Sequence, residues 1–183
     1  MIGSLPKFLT VGGEDYEINS DFRAALAIFE AFNDNELSAF NKALTMLEVL
    51  YDFDIPADTQ EAQRQAVWFL DVGRQNAAKG DGSAPKTLDW AQDEQLIFAA
   101  VNAVTGYDVR ETEYMHWWTF YGYAQSIAPD SLISHICGIR DKLARGTKLE
   151  KHEQRFYREN SHLVDFQADS DEIDDLMRAL RGD

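Results

Sequence analysis

Four histidines and one cysteine are the side chains of this sequence best suited to hold a metal ion or to act as a nucleophile. They are His116, His135, His152, His162 and Cys137. The histidines form neither a His-Glu-x-x-His motif nor a pair four residues apart, and the cysteine has no partner at zinc-ligand spacing. Ser131 and Ser134 lie near His135, but no Gly-x-Ser-x-Gly turn presents a nucleophile. We therefore expect a protein that is not an enzyme and holds no metal or cofactor.

The aromatic residues around position 117 are the densest apolar feature of the chain. On a helix, Tyr114, Trp117, Trp118 and Tyr121 would share one face, at positions i, i+3, i+4 and i+7. Such a stripe is usually the axis of a core, which is the interpretation we favour. The alternative is that some of these rings form a binding surface for a partner.

The charged residues change sign along the chain. Residues 1–139 carry a net charge of −13, residues 140–158 carry +4 and residues 159–183 carry −6. The basic segment contains six candidate partner-binding or structural residues: Arg140, Lys142, Lys148, Lys151, Arg155 and Arg158. Because the segment has no nucleic-acid-reading motif, we favour internal pairing, for example with the acidic residues that follow it, or docking of an acidic partner.

The elements that position these residues are predicted to be almost entirely helical. Gly12-Gly13 between two β-prone runs indicates a small hairpin over Phe8 to Ile18. Apolar periodicity then predicts seven helices. Their ranges run from the Ser20-Asp21 cap to about Asn33, from Leu37 to Tyr51, from Thr59 to about Gly73, from Asp89 or Trp90 to Val104, from Glu111 to Ser126, from Asp130 to Leu143 and from Lys148 to about Ser161. The predicted fold is mainly α, a compact bundle of about seven helices with an N-terminal β-hairpin.

The domain organisation follows from breakers and composition. We expect residues 1–166 to form a single helical domain, with a flexible loop at 79–86 that leaves open a division into two subdomains. Aromatic residues are absent after Phe166, and Asp169, Asp171, Glu172, Asp174 and Asp175 make residues 167–183 an acidic segment. These carboxylates lack the central glycine and final glutamate of an EF-hand loop. We expect a mobile acidic tail.

The total charge and the cysteine count limit the possible partners and compartment. A net charge of −15 repels phosphates and anionic lipids, so neither nucleic acid nor a membrane is an expected partner. The first residues contain no apolar stretch long enough for a signal peptide or a membrane span. A single cysteine cannot form an internal disulfide, which is typical of a reducing compartment. We expect a cytoplasmic protein.

Several short motifs resemble those of the bacteriophage "gene product fifteen" family. The most specific are Met115-His-Trp-Trp-Thr-Phe and the basic Gly146-Thr-Lys-Leu-Glu-Lys segment followed by Phe156-Tyr-Arg-Glu-Asn. Earlier similarities are Tyr16-Glu-Ile, Asp21-Phe-Arg and Ile97-Phe-Ala-Ala leading to Gly106-Tyr-Asp-Val. The resemblance covers roughly Phe8 to Phe166 and does not extend to the acidic tail.

This resemblance implies a function in phage tail assembly. Family members are small tail-region proteins encoded near the tape-measure protein, so the resemblance implies a non-catalytic tail assembly chaperone in the host cytoplasm. Its expected partners are the tape-measure protein and the tail-tube protein, and a homo-oligomer is left open. The alternative from composition is an acidic DNA mimic that inhibits a nucleic-acid-binding protein of the host, although a basic segment would interrupt the acidic face that mimicry requires.

Overall fold

The computed structural model describes residues 3–74 and 85–166 and is built mainly of helices. A two-stranded antiparallel hairpin comes first, with β1 at Phe8–Val11 and β2 at Glu14–Glu17. The helices of the described part are α1 Phe22–Asn33, α2 Ala39–Leu50, α3 Thr59–Leu70, α4 Glu94–Thr105, α5 Trp117–Gln125, α6 Leu132–Ala144, α7 Lys151–Glu159 and α8 Ser161–Val164, with a 3-10 turn at Val109–Glu111. The predicted mainly α fold with an N-terminal hairpin is confirmed.

Local sequence signals explain where most of these elements begin and end. Gly12 and Gly13 both adopt the left-handed backbone that the hairpin turn requires. The carboxylate of Asp21 accepts the backbone N–H of Arg23 and caps α1, as the sequence predicts. Gly106 ends α4 in the left-handed conformation. The seventh predicted helix corresponds to α7, which ends because the backbone leaves the helical conformation at Asn160; the short helix α8 that follows was not predicted.

The packing order runs from the hairpin to α7. The hairpin packs on α3, and contacts continue in the order α3, α2, α1, α5, α4, α6, α8 and α7. The main hydrophobic cluster includes residues from both sides of the 75–84 segment, among them the stacked rings of Phe22 and Phe120, with centroids 4.5 Å apart. A second cluster joins α6 to the last two helices and contains Ile136, Ile139, Leu149 and Val164. The hairpin and α7 therefore lie at opposite ends of this order.

Two sequence expectations about helix faces are wrong. The fifth helix begins at Trp117, not Glu111, because Val109–Glu111 forms a separate 3-10 turn and the extended backbone of His116 pairs with Asp21 in an isolated β-bridge. Tyr114 therefore lies outside the helix and does not share a helical face with Trp117. In the second helix, the spacing of Leu37, Phe40, Leu44, Leu47 and Tyr51 predicts a single apolar stripe. Phe40 is instead 73% exposed, and the buried residues of α2 are Met46, Leu47 and Leu50.

Two predicted segments fall largely or wholly outside the described residues. The acidic tail 167–183 is one, and residues 79–84 of the predicted loop are the other. In the described part of the chain, no helix is both long enough and apolar enough to cross a bilayer.

Candidate partner-binding surfaces

The tandem tryptophans of α5 close the C-terminal end of α3. The last carbonyl groups of a helix have no partner within the helix. Here the indole of Trp117 donates to the Leu70 carbonyl at 3.0 Å, and that of Trp118 donates to the Phe69 carbonyl at 2.8 Å. Trp117 is buried and Trp118 is partly buried. Both rings thus fix α5 against α3.

His116 orients the start of α5 from a buried position. Its Nδ1 accepts the backbone N–H of Trp118 at 3.0 Å, and its Nε2 lies 2.9 Å from the carbonyl oxygen of Pro6. These two contacts require a neutral ring that carries its proton on Nε2. Burial lowers the pKa of His116, which favours the same neutral form. The ring therefore acts as an N-cap and a tether to the N-terminal segment.

An open apolar cleft, here called the α5 cleft, lies beside the third candidate residue of α5, Tyr121. The cleft has a volume of about 470 Å³, and Arg74 at its mouth donates to the Tyr121 hydroxyl at 2.8 Å. Its apolar walls are Phe29, Leu70, Leu88, Trp90, Ile97, Trp117, Tyr121, Ala124, Ile127 and Ile133. The cleft lies within the size range of sites that bind small molecules or side chains.

A second open cleft lies between α1 and α4 and is called the α1–α4 cleft. Its volume is about 530 Å³. Trp90 and Ile97 line this cleft as well as the α5 cleft, and Phe22, Leu26 and Phe98 add apolar surface. The two clefts are thus neighbours that share the Trp90 side chain.

Arg140 lies inside the protein. Its side chain is 3% exposed and forms a two-pronged ion pair with Asp93, which is 1% exposed, at distances of 2.5 and 3.0 Å. The other guanidinium N–H groups donate to the carbonyls of Thr87, Leu163 and Val164 at 2.7–3.0 Å. All five donors of the guanidinium are therefore used. Arg140 joins α4, α6 and α8.

Lys142 is also paired internally. Its ammonium group lies 2.6 Å from the carboxylate of Glu153, which is largely buried and also accepts the backbone N–H of Glu150. The hydrogen bond from Lys142 lowers the pKa of Glu153, and the same bond raises the pKa of Lys142. This pair fastens α7 to α6.

The other four candidate basic residues form an exposed surface, here called the cationic face of α7. Lys151, Arg155 and Arg158 recur at i, i+4 and i+7 on α7, and Lys148 precedes the helix. Arg155 pairs with Glu159 of the same helix at 2.9 Å. Within residues 3–74 and 85–166, no carboxylate lies within 4.0 Å of the other three cations.

The structure divides the sequence-predicted residues into two groups. Trp117, Trp118, Arg140 and Lys142 make internal contacts. Tyr121 and part of Trp117 line the α5 cleft, and the cationic face of α7 is open to solvent.

Sequence reasoning missed the apolar walls contributed by Leu88 and Trp90, because it began the fourth helix at Asp89 or Trp90, whereas residues 90–93 form a turn and α4 begins at Glu94. It also missed Asp93, the partner of Arg140. Among the residues described, no group of three or more histidine, cysteine, aspartate or glutamate side chains is arranged to hold a metal ion.

Comparison with known proteins identifies the family. No curated protein and no solved structure matches the chain. The family model described as "Bacteriophage Gp15 protein" matches residues 1–165. This match includes both clefts, the buried Arg140–Asp93 pair and the cationic face of α7. Since it extends over nearly the whole chain, the protein belongs to the bacteriophage Gp15 family.

Proposed function

We propose that the protein is a non-catalytic tail assembly chaperone that binds an apolar helical segment of the phage tape-measure protein, the tail-tube protein, or both. The observation that carries this proposal is the pair of open, largely apolar clefts that share Trp90; the α1–α4 cleft is also lined by Arg23, Glu30, Glu94 and Arg110. Membership of a phage family supports the setting. Tail assembly and its partners come from the sequence resemblance, which places family members beside the tape-measure gene.

The clefts suit the side chains of an amphipathic helix. A bound helix presents apolar anchors at i, i+3 or i+4 and i+7 to a hydrophobic groove. One anchor would enter the α5 cleft beside Tyr121 and another the α1–α4 cleft beside Phe98, with Trp90 between them. This arrangement would cover apolar surface that a long tape-measure helix otherwise exposes to water.

The net charge of the chaperone would keep such complexes apart. A chain with a charge of −15 carries a negative field into each complex, so coated tape-measure proteins would repel one another. The cationic face of α7 counts against the alternative of a DNA mimic, because mimicry requires a continuous acidic surface.

A charge placed in the α5 cleft tests the proposal. Ala124 lines this cleft on α5, and Ala124→Arg would put a cation against its apolar walls. Val67→Arg is the matched control, because Val67 is 50% exposed on α3 and lines neither cleft. We expect Ala124→Arg to weaken binding by about tenfold or more, equivalent to ~1.4 kcal/mol, while Val67→Arg binds like the unaltered protein.

The measurement is co-expression with an affinity-tagged tape-measure protein, or with the tail-tube protein, followed by pull-down and titration. Thermal unfolding of each variant checks its fold, and Gln125→Arg at the exposed rim supplies the same charge if Ala124→Arg destabilises the protein. Equal binding by the cleft variants and the control would exclude the cleft as the binding surface. Failure of the unaltered protein to bind either partner would refute the proposed function.

A further inference from the structure

The cationic face of α7 is a charged surface that the proposed function does not use. Its four side chains, Lys148, Lys151, Arg155 and Arg158, are exposed, and the three on α7 span about 10 Å at a rise of 1.5 Å per residue. The nearby carboxylate of Glu153 is committed to Lys142, that of Glu159 reaches only Arg155, and the exposed carboxylate of Glu150 lies 3.5 Å from the ring of His152. The face therefore has an excess of positive charge in an otherwise acidic protein.

The described chain ends beside α7. Helix α8 packs on α7, and the hydroxyl of Tyr157 donates to the carboxylate of Asp165 at 2.8 Å. Tyr157 lies roughly 100° or more around the helix axis from Lys151, Arg155 and Arg158, so the segment after Phe166 has to pass around α7 to reach the cationic face. The nine residues 167–175 can span up to about 30 Å of extended chain, which is enough to pass halfway around a helix about 10–12 Å across.

The sequence that follows carries the complementary charge. Residues 167–175 contain the five carboxylates of Asp169, Asp171, Glu172, Asp174 and Asp175 and no basic residue. A segment joined to the domain by so short a connection has an effective concentration of about 1 mM or more, well above the micromolar concentration of a second copy. Charge and connection both favour the segment of the same chain over one from a neighbouring molecule.

We propose that the cationic face of α7 is the docking surface for the acidic segment 167–183 of the same chain. The docked segment competes with any other polyanion for Lys148, Lys151 and Arg158. Individual exposed ion pairs are weak, so several together give an occupied-to-open ratio of roughly ten at low salt. The segment thereby masks the one strongly basic surface found in the described part of the protein. This masking does not depend on the binding of a tape-measure partner.

A competition experiment tests the proposal with the full chain. The variant Asp171→Asn/Asp174→Asn/Asp175→Asn removes three charges from the segment. The matched control removes three charges elsewhere, from the exposed residues Glu17, Glu36 and Glu113, each changed to Gln. A fluorescent hexa-aspartate peptide serves as the probe in about 20 mM salt. We expect the segment variant to bind the probe roughly tenfold more tightly than the unaltered chain, and the control variant to bind it within twofold.

Three further measurements locate the contact. Adding Lys148→Gln, Lys151→Gln and Arg158→Gln to the segment variant should remove the gain in affinity. Raising the salt to about 0.5 M should remove it as well, because screening then acts over a few ångströms. Carbodiimide should cross-link Lys148 or Lys151 to carboxylates of residues 167–175 within monomers. Equal affinity of the segment and control variants, or cross-links found only in dimers, would overturn the proposal.

Discussion

Replacing Arg140 by methionine removes the side chain that holds three parts of the fold together. Arg140→Met keeps much of the side-chain volume but eliminates all five hydrogen bonds of the guanidinium. The carboxylate of Asp93 would remain buried, with the backbone N–H of Asp89 as its remaining partner among the described residues. The carbonyls of Thr87, Leu163 and Val164 would lose their donor.

The magnitude follows from the burial of both charges. Removing one partner of a buried ion pair costs about 3–5 kcal/mol, because the other charge stays desolvated and unpaired. A domain of this size is stabilised by about 5–15 kcal/mol in total. The variant should therefore lose about a fifth or more of its stability, which corresponds to a fall in melting temperature of roughly 6–20 °C.

The assay is urea unfolding, followed by the fluorescence of the four tryptophans and by circular dichroism. Arg145→Met is the matched control. Arg145 directly follows α6, the helix that contains Arg140, and it pairs with Asp141, but both of these side chains are exposed. Arg145→Met should lower the free energy of unfolding by no more than about 1 kcal/mol. The double variant Asp93→Leu/Arg140→Met should be less destabilised than the sum of the single variants, by about 1–3 kcal/mol.

Two results would contradict a stabilising buried ion pair. One is an equal loss in the free energy of unfolding for Arg140→Met and Arg145→Met, and the other is strict additivity of the Asp93 and Arg140 substitutions. Hydrogen exchange gives an independent readout. Since Arg140 binds the carbonyls of Leu163 and Val164, the amides of α8 should exchange faster in Arg140→Met than in the control.

Two further predictions concern the junction between α3 and α5. The neutral ring of His116 caps α5. The pKa of His116 in the folded protein lies below its unfolded value of about 6.5. The cap should therefore stabilise the fold fully above pH ~6.5 and progressively less as the pH falls below that value. His116→Asn, which caps without titrating, should weaken the dependence of the urea midpoint between pH 7.5 and 5.5; an unchanged dependence would contradict this role. Gly73→Ala should destabilise the protein by about 2–3 kcal/mol, because Gly73 has a φ of +76° and a Cβ there would lie 2.8 Å from the Trp118 ring. Gly122→Ala is the control, because Gly122 occupies an open helical position; this change should be neutral or stabilising by up to about 1 kcal/mol. Equal melting temperatures for the two alanine variants would contradict the close packing of Gly73 against the Trp118 ring.

Features set by neighbouring residues could be predicted from the sequence. The Gly12-Gly13 turn, the Asp21 cap and the Gly106 end of α4 each depend on backbone preferences within a few positions. In α3, the small or apolar residues Ala62, Ala66, Phe69 and Leu70 recur at helical spacing in the sequence, and all four are buried.

Features set by distant contacts could not be predicted. The start of α5 depends on the pairing of His116 with Asp21, 95 positions earlier in the numbering, and helical periodicity carries no trace of it. The burial of Arg140 depends on Asp93 and on three backbone carbonyls from other segments. A single sequence shows the charge of the basic segment but not which of its cations are neutralised inside the fold. The two clefts arise where separate helices meet, so their walls share no sequence pattern.

The contacts of Arg140 have a consequence for synthesis of the chain on the ribosome. Two of its five acceptors, the carbonyls of Leu163 and Val164, are translated long after Asp93 and Arg140 itself. Before Leu163 and Val164 have left the ribosome, a nascent chain can form the Arg140–Asp93 ion pair but not all five hydrogen bonds of the guanidinium. Premature termination before Leu163 would therefore yield a polypeptide with an incompletely satisfied interior, which we expect cellular proteases to cleave faster than the finished chain.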